Sequence, residues 1–442
     1  MHPARRRLIS RRDFLRGAGG TALALPSLGA LLEACAKPGS QQPVASGTSI
    51  ENLLAHPARR DNPVTLPLFE QPIAPDTPIE RDATLKIYNW DYYIWPKLAR
   101  DAFEKKFADY NVKVEITWFY DINPAIAKLQ SGQVQADVFF PDPSELTRLV
   151  IAKQLRPLQQ ELIPNLAANY WPEFQNPFYD QKWRYSVPYA IYTTGIAYRR
   201  DHLNDDEVGG RDNPYEVLWD PTWKGRVSIY DDYRETIGMA LLKNGITDVN
   251  TGNPDAINTA KEDLLGMIDA TDPYKKINGI YVRMAHDDMW VGQSWSGDIV
   301  NAYVYNAPPG TPNDVWGYWY PQNGGMIGND LMVIPKGGQN PRLAHEFLNF
   351  MLDQKNSYLN FADYNGYQSP MTSINPDALV PAKLPTKIDV AYDAAGNLLY
   401  PTGLSQAVVV PEQFDKGYTL LEMTPAANQL WTDAWDEISA GA

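Results

Sequence analysis

Residue types that usually carry catalysis form no motif in this sequence of 442 residues. The five histidines are dispersed, and no two stand at the i, i+4 spacing of a zinc-binding helix. Ser294 lies between two glycines in segment 292–297, but the spacing differs from the nucleophile elbow of hydrolases. Neither Gly-rich phosphate-binding pattern is present. Paired acidic residues are abundant in so acidic a chain, so residue types alone leave a glycosidase open.

Acidic and aromatic residues could instead bind a cation. The net charge is −14, and such a chain repels nucleic acid and anionic lipid headgroups. The sequence holds 13 Trp and 26 Tyr, more than core packing usually needs, which indicates that some line a ligand site. A second interpretation of the charge is an acidic surface that aids solubility.

The first 35 residues have the pattern of an export signal. Three arginines at 5–7 and the SRRDFLR stretch at 10–16 precede an apolar, Gly/Ala/Leu-rich run over 17–32 that is too short to span a bilayer stably. The paired arginines at 11–12 predict a twin-arginine signal, with an ordinary basic n-region as the alternative. This segment holds six Arg against Asp13 and Glu33, so the rest of the chain carries −18.

Cys35 closes the apolar run and is the only cysteine in the sequence, so an internal disulfide is impossible. LEAC at 32–35 resembles a lipobox, in which Cys35 becomes the lipid-modified first residue of the exported protein. Cleavage without lipid is the alternative, since Glu33 is unusual in a lipobox. Acyl chains on Cys35 would anchor the protein to a membrane.

Behind the signal, residues 36–83 are rich in Pro and lack a sustained period, which predicts a tether. Strands and helices then alternate, which favours βαβ units and a mostly parallel sheet. Strands are predicted at 85–88, 112–116, 137–140, 185–188, 194–198, 226–229, 292–295 and 331–334. Helices are predicted at 98–107, 122–130, 143–153, 236–243, 254–268, 297–303, 341–352 and 425–438.

Several short stretches carry a family resemblance through their order and spacing between about residues 85 and 370. They are YNWDYYIWP at 88–96, ADVFFP at 136–141, VPYAIYTTGIAY at 187–198, LWD at 218–220, WKGRV at 223–227, DDYRE at 231–235, WSGD at 295–298, GGMIGND at 324–330 and NGY at 365–367. This part of the chain resembles the spermidine/putrescine-binding proteins, the extracytoplasmic receptors of bacterial polyamine ABC transporters. The similarity fades beyond about residue 375.

The resemblance implies a ligand site of aromatic walls and carboxylates. An alkyl diamine has an apolar middle, which suits aromatic rings, and charged ends, which suit carboxylates. The implied site residues are Trp90, Asp91, Tyr93, Asp142, Asp232, Glu235, Trp295, Asp298, Asp330 and Tyr367. Some have structural interpretations as well: Asp232 and Asp298 could cap helices, and Trp90 or Trp295 could belong to a core.

Three positions depart from the family pattern. Tyr92 stands where the family has an acid, and the acid here is Asp91, one residue earlier. Asp142 adds a carboxylate where the family has a small hydroxyl or an aromatic residue. Gly328 stands two residues before Asp330 in place of an aromatic. We expect this loss to widen the pocket, which would suit a longer or bulkier polyamine or another cation.

The resemblance predicts an α/β, two-lobed periplasmic-binding-protein fold of type II, with a mixed, mostly parallel sheet in each lobe. Lobe 1 is expected over 84–190 and 331–370, lobe 2 over 193–328 and 371–442, with a hinge near 189–195 and 328–332. The predicted function is capture of a polyamine between the lobes and delivery to ABC permease subunits, by a monomer that needs no metal or cofactor and binds no nucleic acid. The alternatives are the same fold with another small cation, an exported hydrolase, or a lobe pair kept as a signalling or adhesion module.

Overall fold

The computed structural model describes residues 47–440, and over these residues strands alternate with helices. The strands are β1 (Thr84–Trp90), β2 (Lys113–Phe119), β3 (Val138–Phe139), β4 (Ser186–Arg199), β5 (Val227–Ile229), β6 (Tyr274–Lys275), β7 (Val291–Trp295), β8 (Trp316–Trp319), β9 (Met326–Val333), β10 (Ala391–Tyr392) and β11 (Leu398–Leu399). This alternation agrees with the α/β class that the sequence predicts.

The α-helices are α1 (Ile50–Ala55), α2 (Phe103–Lys106), α3 (Ile122–Gln130), α4 (Pro143–Ile151), α5 (Pro164–Asn169), α6 (Asp205–Gly209), α7 (Tyr233–Lys243), α8 (Pro254–Thr271), α9 (Ser296–Asn301), α10 (Pro341–Met351), α11 (Gln354–Asn360), α12 (Pro376–Leu379), α13 (Pro411–Lys416) and α14 (Pro425–Ala440). Several begin with Pro in the first turn, where its missing N–H costs no hydrogen bond. The helix predicted at 98–107 is a π-helical segment, Lys97–Ala102, continued by α2.

One sheet of the described residues runs in the order β2-β1-β3-β9-β4-β7-β5-β6, with β8 paired to β4. The pairs β1/β2 and β1/β3 at one end are parallel, as are β5/β7 and β5/β6 at the other. The central pairs β3/β9, β9/β4 and β4/β7 are antiparallel. Each end is therefore the parallel sheet of one lobe, and β4 and β9 pass from one lobe to the other.

The length of β4 differs from the sequence prediction. The sequence predicts separate strands at 185–188 and 194–198, whereas the structure has one strand of 14 residues. It pairs with β9 from Ser186↔Val333 to Thr194↔Met326, with one irregularity between Pro188 and Ala190. Both faces of β4 are covered, so its side chains are almost all buried and show no alternation that would reveal its length.

The described residues form two buried clusters of apolar side chains. The larger extends over both lobes and the crossing strands, and the last helix joins the second. Trp431 and Ile438 of α14 pack with Leu264 of α8. The preceding segment also reaches lobe 1, since the Phe414 ring lies 4.5 Å from that of Phe174. The lobe boundaries stay predictions, and this contact shows that the C-terminal segment extends across them.

The predicted tether is wrong for its described part, residues 47–83. Leu53, Val64 and Leu66 are buried. The amide of Val64 donates to Phe178 O at 2.8 Å, and the Tyr185 hydroxyl donates to the carbonyl oxygen of residue 67 at 2.7 Å. A Pro-rich chain forms no regular element, but its few apolar side chains can still be buried when the body satisfies its backbone groups.

None of the helices within residues 47–440 combines the length and the apolar character that a membrane crossing needs. The predicted twin-arginine signal and Cys35 lie outside the described residues.

Candidate functional site

The candidate site lies where β1, β7 and β9 and the helices that follow the strands converge. Tyr93 follows β1, Trp295 ends β7 and leads into α9, and Asp330 lies in β9 where this strand crosses between the lobes. Asp142 and Asp232 stand at the first turns of α4 and α7. Ligands of open α/β sheets bind at the carboxyl ends of strands, and most of the predicted residues are placed there.

Asp330 is held by tyrosine hydroxyls. The Tyr93 hydroxyl donates to Asp330 Oδ2 at 2.5 Å, and Tyr192 donates to the same carboxylate. Burial, where an ionised carboxylate loses its hydration, together with the charge of Asp142 raises the pKa of Asp330 to about 7. Two phenols therefore stabilise an anion that burial disfavours.

Asp298 has a similar environment. The Tyr367 hydroxyl donates to Asp298 Oδ1 at 2.6 Å and the Tyr230 hydroxyl to Oδ2 at 2.8 Å, so both oxygens are satisfied. Burial raises the pKa of Asp298 to about 7. The Tyr230 ring also stacks on Trp295 with centroids 4.3 Å apart, which joins this carboxylate to the aromatic wall.

Glu235 differs from both aspartates because one of its oxygens is unsatisfied. The Trp295 indole donates to Glu235 Oε1 at 2.9 Å, and the Thr194 hydroxyl also donates to this carboxylate. Oε2 is buried and has no hydrogen-bond partner in the part of the chain that the structure describes. Burial, followed by the charge of Asp232, raises the pKa of Glu235 to about 8. A buried carboxylate oxygen without a donor is costly, and a cation would relieve that cost.

Asp142 and Asp232 cap helices and also add charge to the site. Asp232 accepts from the backbone amides of Arg234 and Glu235 at 2.9 and 3.0 Å, and Asp142 accepts from that of Ser144 at 2.6 Å. Burial raises the pKa of both carboxyls. The charge of Asp142 also raises the pKa of Glu235 and Asp330. The capping and binding interpretations of Asp232 are thus compatible.

The structure places Trp90 and Asp91 differently from the other predicted residues. The Trp90 indole donates to Phe140 O at 3.1 Å, and its ring lies 4.6 Å from Phe119. Asp91 interacts with the Tyr120 hydroxyl, whose side chain is 68% exposed. Trp90 therefore is partly buried and packs against the apolar core of lobe 1, and Asp91 is also only partly buried.

Two tyrosines at the centre of the site were missed by the sequence predictions. Tyr230 bridges Asp298 and Trp295, and its hydroxyl also accepts from the Trp295 amide at 2.6 Å. Tyr192 contacts Asp330, Trp295 and Tyr367. Both lie in or directly after strands with apolar neighbours, and that pattern predicts core residues. Tyr230 directly precedes Asp231 and Asp232, and this is the one signal that could have singled it out, whereas Tyr192, in the middle of β4, has no such signal.

The predicted widening at Gly328 is wrong, because Tyr192 fills the space. The two residues face each other in the register of β4 and β9. A Cβ atom added to Gly328 would lie 2.4 Å from Tyr192 Cζ. The aromatic wall is therefore present but comes from the neighbouring strand.

Two lobes joined by long crossing strands, with carboxylates and aromatic rings gathered at the crossing, define a two-lobed ligand-binding protein. The chain belongs to the bacterial extracellular solute-binding proteins, a family whose model matches residues 99–386.

Named relatives agree with this assignment. A putrescine/cadaverine-binding protein of Pseudomonas aeruginosa is 29% identical over 280 residues, covering 62% of this chain and 75% of the relative. The spermidine/putrescine-binding periplasmic protein of Escherichia coli is 27% identical over 288 residues, covering 65% and 77%. The structure of a putative spermidine/putrescine ABC transporter from Listeria monocytogenes matches with a TM-score of 0.64 and 24% identity, covering 80% of this chain and 98% of that one. The last similarity shows the two-lobed fold.

Proposed function

We propose that this chain captures a small organic polycation of the polyamine type between its lobes and delivers it to an ABC transporter permease. The observation that carries the proposal is Glu235 Oε2, a buried carboxylate oxygen without a donor beside the Trp295 indole. An alkylammonium group would donate to this oxygen, while its methylenes pack on the rings. The names of the relatives, which bind putrescine, cadaverine or spermidine, support the same ligand class.

The proposed role is capture without turnover, because the relatives reported above are named as binding proteins. The carboxylates of the candidate site are held by phenol, indole and backbone amide donors. β4 and β9 would act as the hinge near 189–195 and 328–332, and a ligand that contacts both lobes favours the closed state. A thiamine-like cation or a metal chelate is the alternative cargo.

The test is calorimetric titration of the purified protein with putrescine, cadaverine, spermidine, spermine and Ca²⁺ at low salt. We expect a saturable response to at least one polyamine, with affinity reduced about 10- to 100-fold in Glu235→Gln, because hydrogen bonds to charged groups contribute about 1.5–3 kcal/mol. Glu262→Gln, on the exposed surface of α8, is the matched control and should bind like the wild type. Binding of none of the polyamines would refute the ligand class and leave the family assignment intact.

We further propose that the protein is exported by the twin-arginine route and anchored through lipid on Cys35. The paired arginines at 11–12 and the single cysteine behind the apolar run support this proposal. Cys35→Ser should move the protein from the membrane fraction to the soluble fraction, and mass spectrometry should then show the loss of the acyl chains. Release of the wild type in soluble form would refute the anchor.

A further inference from the structure

The ring of Tyr192 lies at the centre of the candidate site. Its centroid is 5.8 Å from that of Trp295 and 5.8 Å from that of Tyr367, and its hydroxyl donates to Asp330. Trp295 in turn holds Glu235. The side chain therefore extends from the Trp295–Glu235 pair, which takes the ammonium group in the proposed function, to Asp330.

A side chain at position 328 would overlap with the ring of Tyr192. They are cross-strand neighbours in β4 and β9, and a Cβ atom on Gly328 would lie within 2.4–2.6 Å of three atoms of the phenol. Contacts this short do not occur between real atoms, so a side chain at 328 would displace the ring. The position of the Tyr192 ring thus depends on the absence of a side chain at 328.

Carboxylates surround the Tyr192 hydroxyl. Burial, followed by the negative charges of Asp330, Glu235, Asp142 and Asp232, holds the pKa of this phenol well above its ordinary value. The phenol is therefore a permanent neutral donor in the working range of pH.

We propose that Tyr192 is the specificity-determining residue of this site and that it restricts the ligand to a short α,ω-diamine by filling the path from Glu235 to Asp330. This inference rests on the proposed function and specifies in addition how long the bound amine is. A longer triamine would have to pass the ring or displace it, whereas a short diamine can bind Glu235 and pack its methylenes on the face of Tyr192. Donation from Tyr192 and Tyr93 also satisfies Asp330 without a cation.

The experiment is calorimetry with putrescine and spermidine on the wild type, Tyr192→Ala and Tyr192→Phe. We expect the wild type to bind putrescine more tightly than spermidine. Tyr192→Ala should shift the affinity ratio toward spermidine by about tenfold, because a change in pocket volume alters the discrimination between ligands on this scale. Tyr192→Phe keeps the ring and should keep the preference. Tyr392→Ala removes a tyrosine exposed on β10 and serves as the matched control.

Two further variants test whether a side chain at position 328 displaces the ring of Tyr192. Gly328→Ala should weaken binding of putrescine, because its methyl group displaces the ring, whereas Gly328→Ala in the Tyr192→Ala background should have no further effect. Binding with an unchanged putrescine-to-spermidine ratio in Tyr192→Ala would overturn this inference and leave the proposed function standing. Failure of the wild type to bind any polyamine would overturn both.

Discussion

At the scale of single residues, the site differs from an ordinary core in how its carboxylates are satisfied. Asp298 has a donor on each oxygen, and Asp330 has two phenols, whereas Glu235 keeps one oxygen without a partner. Burial of an ionised group is unfavourable unless donors or an opposite charge compensate. The least compensated of the three is therefore the one at which a cation gains most.

The pKa of Glu235 leads to a prediction on stability without ligand. The folded-state pKa, about 8, lies above the ordinary value of 4.5, so the folded protein binds the proton more tightly than the unfolded chain. The contribution of Glu235 is therefore fully present below about pH 4.5 and is lost as the pH rises through 8, at about 1.4 kcal/mol for each unit of pKa difference. Urea unfolding at pH 5, 7 and 8 measures this loss.

Glu235→Gln is the control for the pH prediction, because its amide does not titrate. From pH 5 to pH 8, the free energy of unfolding of the wild type should fall relative to that of Glu235→Gln. A constant difference would show that Glu235 is already ionised at pH 5. Polyamine binding should release protons below pH 8, since the cation favours the carboxylate.

The family resemblance implied Glu235, Asp298 and Asp330 as site acids, and the structure places all three beside aromatic residues. Tyr192 could not be recognised in this way, because its role depends on the register with Gly328, more than a hundred residues away. Long-range pairing of this kind leaves no local pattern in a strand covered on both faces.

At the scale of elements, α14 supports α7, the helix that carries Glu235. Trp431 is fully buried, and its indole donates to Thr251 O at 2.9 Å. The Arg234 guanidinium lies 5.1 Å from the centre of the Trp431 ring, and Arg234 also donates to Leu421 O at 3.1 Å. α14 lies beyond the residues that the family model matches, yet its packing helps to position the first turn of α7.

Trp431→Ala should therefore destabilise the protein by about 3–5 kcal/mol, the usual cost of removing a buried large aromatic side chain. Urea unfolding measures the change. Trp435→Ala, one turn further along the same helix and only half-buried, is the control and should cost clearly less. Equal effects of the two substitutions would mean that helix propensity, rather than packing of α14 on lobe 2, determines the result.

The elements themselves were largely predictable. Amphipathic spacing indicated α10 and α14, and clean alternation indicated β2, and the structure has all three within a few residues of their predicted ends. The errors occur where local pattern conflicts with tertiary context. β4 was divided because its side chains are buried on both faces and show no alternation, and residues 47–83 were assigned to a tether because their Pro-rich composition conceals buried side chains such as Leu53, Val64 and Leu66.

At the scale of the whole molecule, residues 47–83 are part of the folded body and not a spacer. Arg60 lies over the rings of Phe414 at 4.5 Å and Phe178 at 5.2 Å, and its guanidinium also donates to Phe414 O. The segment therefore joins lobe 1 to the C-terminal segment. Such a contact contributes about 0.5–2 kcal/mol as a cation–π interaction, in addition to the apolar burial around it.

A chain that begins at residue 84 should consequently be less stable than one that begins at residue 47. It lacks Leu53, Val64 and Leu66, which are 0–1% exposed, and burial of each such side chain contributes about 1.5–3 kcal/mol. The expected loss is on the order of 5 kcal/mol in urea unfolding, a large fraction of the stability of most proteins. If the segment were a tether, both chains would unfold at the same urea concentration. The predicted difference instead requires that residues 47–83 stabilise the body, so these residues are not part of the spacer that the Pro-rich composition indicates.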